Sequence, residues 1–162
     1  NEKKNFKNYR GEISMSKEYN KMTLLELLNR NDNKLLAGAE EYNIKNFEKI
    51  HGIKLPDEYS ELLKYTNGAE LLEGDITLYS LYDEKNHVKG SRQLGIANSP
   101  IMKKSIPEEL LVIGIYNFGD PICLNLKTGS IVQWSHEDNE PFLEYSNIKE
   151  WLISSIEEMD LI

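Results

Sequence analysis

Three short apolar runs separated by two glycine-containing breaks, between Leu110 and Ser135, restrict this chain more than anything else in its sequence. Leu110–Asn117, Pro121–Leu126 and Ser130–Ser135 are rich in Ile, Val, Leu, Tyr and Trp, which suit a pleated, packed surface. The breaks Phe118-Gly119-Asp120 and Lys127-Thr128-Gly129 have the length and composition of hairpin turns. The second half of the chain is therefore expected to build an antiparallel meander.

The first half has helical rather than strand period. Thr23 and Glu26 have capping-box spacing ahead of Leu24, Leu25, Leu27 and Leu28, which predicts a short helix over about Thr23–Arg30. A second amphipathic segment covers about Ala39–His51, with Ile44, Phe47 and Ile50 on one face and Gly52 as its stop. Pro56 suits a first helical position, Asp57 and Glu58 set negative charge at the positive end of the dipole, and Tyr59, Leu62, Leu63 and Thr66 share a face. That helix is placed at about Pro56–Thr66, with Asn67-Gly68 as its left-handed stop. Ile76–Tyr82 then alternates as a strand, and residues 83–108 read as a polar loop with at most a helical turn. A last helix starts near Asn147, capped with Glu150 in the third position, and carries Ile148, Trp151, Leu152, Ile156 and Met159 on one face.

Helices first, hairpin-connected strands next and one closing helix make this an α+β chain, with a mainly antiparallel sheet of about four to six strands. Its 162 residues suit one domain that buries roughly 70% of the surface of the unfolded chain. Residues 1–18 are set aside as a flexible or extraneous N-terminal segment, with Met15 and Met22 as candidate natural starts, and 19–162 are read as the domain. The single cysteine, Cys123, can form no internal disulfide, and no run approaches the length of a membrane helix, so a cytoplasmic location is expected.

Net charge is −8 and unevenly spread: residues 111–162 hold two Lys/Arg against nine Asp/Glu, whereas residues 1–50 hold ten against eight. Such a balance repels nucleic acid and anionic lipid and favours a basic protein partner.

A family resemblance rests on particular residues. Phe47-Glu48, the run Gly52-Ile53-Lys54-Leu55-Pro56-Asp57-Glu58-Tyr59 and Asn67-Gly68-Ala69 are similar to the core signature of the SUKH superfamily. Leu111–Tyr116, Gly119-Asp120, Ile122-Cys123-Leu124 and Gly129–Val132 resemble that superfamily's strand pattern, so the likeness spans about Ala39–Ser135. Asn125 departs from it where an acidic residue is common, and Asp83–Pro107 has no counterpart. The resemblance implies a non-enzymatic protein-binding domain. Bacterial members are immunity proteins that neutralise polymorphic toxins, often nucleases, by binding them, and fungal members regulate cell-wall assembly and signalling through protein contacts.

On this reading the candidate partner-binding residues are loop and strand-end acids: Glu70, Glu73, Asp75, Asp120, Glu137, Asp138, Glu140 and Glu144. Tyr79, Tyr82, Tyr116, Phe118 and Trp134 are candidate apolar anchors, although strand aromatics mostly serve the core. The expected partner is a basic, nuclease-type toxin, with no cofactor and no metal. The alternatives are a regulatory or scaffolding interaction domain and, from another class, a small hydrolase using Cys123. Cys123 lies mid-strand between Ile122 and Leu124, where a buried inert thiol is expected, and His51, His87 and His136 have no metal-pair spacing. The Leu55, Pro56 and Tyr59 set is expected to dock a helix rather than a partner.

Overall fold

The computed structural model describes residues 18–85 and 88–161, so nearly all of the expected N-terminal segment, and His87, fall outside the described residues. The helices that lie wholly within the described residues are α1 (Leu24–Leu28), α2 (Glu41–His51), α3 (Asp57–Tyr65), α4 (Leu94–Ala97), α5 (Pro100–Lys103) and α6 (Ile148–Asp160). The strands are β1 (Lys34–Leu35), β2 (Ala69–Leu71), β3 (Ile76–Leu78), β4 (Leu110–Tyr116), β5 (Pro121–Asn125), β6 (Ile131–Ser135) and β7 (Glu140–Tyr145). They form one seven-stranded sheet in the order β1-β2-β3-β4-β5-β6-β7, each pair antiparallel.

The meander and the caps form as the residues dictate. Thr23 and Glu26 close a reciprocal capping box, Gly52 ends α2 in the left-handed region at φ 62°, and the Asn147 side chain accepts from Glu150 N–H at 2.8 Å. Pro56 falls one position earlier than expected, as the residue that caps α3. The sheet has one strand more than the upper expectation. Residues 83–108 contain a 3₁₀ turn at Gly90–Arg92 followed by α4 and α5.

β7 is the main addition, and it corrects the reading of Glu137–Glu144 as a loop after the last strand. β7 contains Pro141, and as the outer edge of the sheet it tolerates the missing N–H.

The sheet is packed on both faces, which explains the unbroken apolar run at the start of β4. One face carries Ile113, Ile122, Leu124 and Ile131 against α1, α2, α3 and α6, with Tyr59, Leu62 and Trp151 at the centre. The other presents Leu110, Val112, Cys123, Val132 and Trp134 under Ile106 and Tyr79. Asn98, just after α4, bonds both the N–H and the C=O of Val112, at 2.7 and 2.8 Å, and so ties the 83–108 excursion to β4 beside its bulge.

Candidate interaction surface

Topology decides where the acidic turns go. Because every strand pairs antiparallel with the next in sequence, the β2–β3, β4–β5 and β6–β7 turns all leave the same end of the sheet. The β5–β6 turn leaves the other. Glu73 and Asp75 are in the first of these turns, Asp120 in the second, Glu137 and Asp138 in the third, and Glu140 opens β7 beside it.

The three turns are joined. Asn117 N–H donates to the Asp75 carbonyl at 2.8 Å, and its side-chain amide donates to Asp75 Oδ1 at 3.0 Å. Asp120 accepts from His136 N–H at 3.1 Å and from Gln133 Nε2 at 2.7 Å, and pairs with the His136 ring. Gly119, at φ 105°, lies beside that ring: a Cβ there would sit 3.2 Å from His136 Cε1. The β2–β3 turn is held from outside as well. Leu72 and Glu73 both take left-handed φ values, of 54° and 57°, and their N–H groups donate to Asn33 Oδ1 and the Asp32 carbonyl, each at 2.8 Å.

The eight candidate acids therefore separate by place. Glu73, Asp75, Glu137, Asp138 and Glu140 are exposed at the shared end. Asp120 is at that end but only 7% exposed, and its oxygens serve Gln133 and His136. Burial alone would raise its pKa, but the bonds from Gln133 and His136 outweigh it and hold the carboxyl below its ordinary value. Glu70 lies on β2, opposite Lys34, and pairs with Arg92 at 3.3 Å. Glu144 accepts from Ser130 Oγ at 2.8 Å, towards the opposite end of β7.

The candidate anchors separate too. Trp134 is buried, with its Nε1 donating to Asn139 at 3.2 Å, and Tyr79 packs against both cores. Tyr82 is exposed, but it follows β3 at the end away from the acidic turns. Tyr116 and Phe118 are at the acidic end, with stacked rings whose centroids are 5.1 Å apart. Behind them a cleft of about 260 Å³ runs between the turns and the C-terminal part of α6, which adds Ser155, Glu158 and Met159. The contribution of α6 had no signal in the sequence, because Glu158 follows Asp75 and Asp120 only through the fold.

Chemistry is poorly served elsewhere. Cys123 is 0% exposed, and burial pushes its thiol up to about 12, so it stays protonated at physiological pH. Among the described residues no group of three or more His, Cys, Asp and Glu is placed to hold a metal ion. Nor is any described helix long and apolar enough to cross a membrane.

A sheet of this topology, with helices on one face and a short excursion on the other, defines an α+β domain. The family model described as SMI1 / KNR4 family (SUKH-1) matches residues 38–154, and the chain belongs to that family. A crystal structure of a protein from Pseudomonas syringae pv. tomato has the same fold, with a TM-score of 0.60 at 19% identity, over 79% of this chain and 94% of that one. No curated protein matches the chain.

Proposed function

We propose that the protein is an immunity protein: it binds a basic, nuclease-type toxin through the three acidic turns at one end of its sheet and occludes the toxin's active or substrate-binding site. The observation that carries this reading is the gathering of Glu73, Asp75, Glu137, Asp138 and Glu140 at one end by strand order, on turns cross-linked through Asn117 and Asp120. Five exposed carboxylates on a tied framework are pre-arranged for a cationic partner. They would steer encounter and set register, while a few desolvated anchors would hold the complex. Membership of the SUKH-1 family supports the same reading, because that family includes immunity proteins.

The test is protection of cells. A toxin domain found encoded beside this gene, expressed with the protein, should leave cells viable, and the two should co-purify as a complex burying about 1,200–2,000 Å². Cell death despite soluble expression of both proteins would reject immunity. Stable capture of host proteins, with no neighbouring toxin, would favour the scaffolding role instead.

A further inference from the structure

The cleft behind Phe118 has features that a solvated acidic surface does not need. We propose that it receives a single arginine side chain of the basic partner, an inference that rests on the docking reading above and gives it an anchor. At about 260 Å³ it lies below the roughly 300–1,000 Å³ of small-molecule sites, a size suited to one long side chain. Leu72, Ile76 and Met159 give it an apolar wall for a methylene stem, and Asp75 and Glu158 put carboxylates on its lining.

The aromatic side is built from the core outward. Trp151, fully buried in α6, donates from Nε1 to the Tyr116 hydroxyl at 2.9 Å. Tyr116 in turn stacks on Phe118, with an interplanar angle of 9°. Phe118 is 49% exposed, and it belongs to the pocket lining as well as to the surface. One exposed phenylalanine is ordinary on any protein. A phenylalanine fixed through Tyr116 to a core tryptophan, beside carboxylates, is a shelf for a planar cation. Guanidinium stacks on an aromatic face and forks to carboxylate, whereas the compact, strongly hydrated ammonium of lysine does neither as well. Asp75 is already held by Asn117, so less side-chain freedom is lost when the cation arrives.

The cleft is tested with peptides, and toxin-domain binding separates its outcome from that of the docking reading. The ¹⁵N-labelled full chain is titrated by NMR with acetyl-Gly-Arg-Gly-amide and with its lysine and glutamine counterparts. The arginine peptide should give saturable shifts confined to the amides of 75, 116–118 and 155–159, with the lysine peptide about threefold or more weaker and the glutamine peptide silent. Phe118→Leu and Asp75→Asn, checked for an unchanged fold by the remaining amide spectrum, should each weaken the arginine peptide by about threefold or more. Equal response to arginine and lysine, or shifts scattered over all exposed acids, would overturn the arginine site. If the peptide fails while the toxin domain still binds, the cleft assignment falls and the docking reading stands. If the peptide binds and the toxin domain does not, the cleft stands as an arginine site and the docking reading falls.

Discussion

Asn67, Gly68 and Glu48 show what the family signature does at the level of single side chains. Asn67 is buried, accepts from Leu81 N–H at 2.8 Å and donates to the Leu81 carbonyl at 3.2 Å, so one amide splices the start of β2 to the chain leaving β3. Gly68 next to it, at φ 93°, leaves room that any Cβ would take, 2.2 Å from Ser80 Oγ. Glu48, also buried, accepts from Leu55 N–H at 2.7 Å and so fixes the Leu-Pro entry to α3. These residues build the scaffold, and on the proposed docking reading partner choice is left to the turns. Asp120 links the two roles, and its chemistry sets a pH dependence. Its carboxyl is held below the usual value in the folded protein, so below about pH 4 the unfolded chain binds protons that the native one does not, and stability rises with pH through that window. Asp120→Asn should therefore destabilise the protein by about 1–3 kcal/mol at pH 7, with the gap to wild type closing towards pH 2. Urea unfolding at both pH values checks this, and a gap that stays constant with pH would contradict it.

At the level of elements, α6 depends on a contact far away in sequence. Its first N–H groups, on Ile148 and Lys149, donate to the two oxygens of Glu58 on α3, at 2.8 and 3.2 Å, while Asn147 takes that of Glu150. Glu58→Ala should lower unfolding free energy by about 1–2 kcal/mol through loss of charge-assisted capping, and an unchanged denaturation midpoint would refute this role. The same contact shows where sequence reading stops. Local signals such as Thr23 with Glu26, Gly52, Asn147 and the apolar runs of β4 to β6 between their turns were legible because each acts within a few residues. β1 and β2 were not, since strands of two and three residues carry no period and exist only through pairing. β7 was hidden by Pro141, which only edge position makes acceptable. The left-handed Leu72 and Glu73 had no signal either, because Asn33 and Asp32 impose that turn from across the chain.

Across the whole molecule, the excess of acid in the C-terminal third does not map to one patch. Glu137, Asp138 and Glu140 lie at the turn end, Glu144 and Glu150 lie towards the other, Glu157 is buried, and Asp160 accepts from Tyr19 at 2.6 Å and pairs with Arg30 at 3.8 Å. Strand order then adds Glu73 and Asp75 from the middle of the chain to the turn-end group. On the proposed docking reading, position rather than total charge is the variable that matters for binding, and that can be measured directly. Two variants with the same change in charge are compared for their association rate with the toxin domain at low and high salt: Glu137→Lys, Asp138→Lys, Glu140→Lys at the turn end, and Glu108→Lys, Glu109→Lys, Glu144→Lys away from it. The turn-end variant should associate about tenfold or more slowly at low ionic strength, with the deficit shrinking at about 0.5 M salt, while the other stays within about twofold of wild type. Equal slowing of the two variants, or none in either, would contradict a docking surface at the acidic end of the sheet.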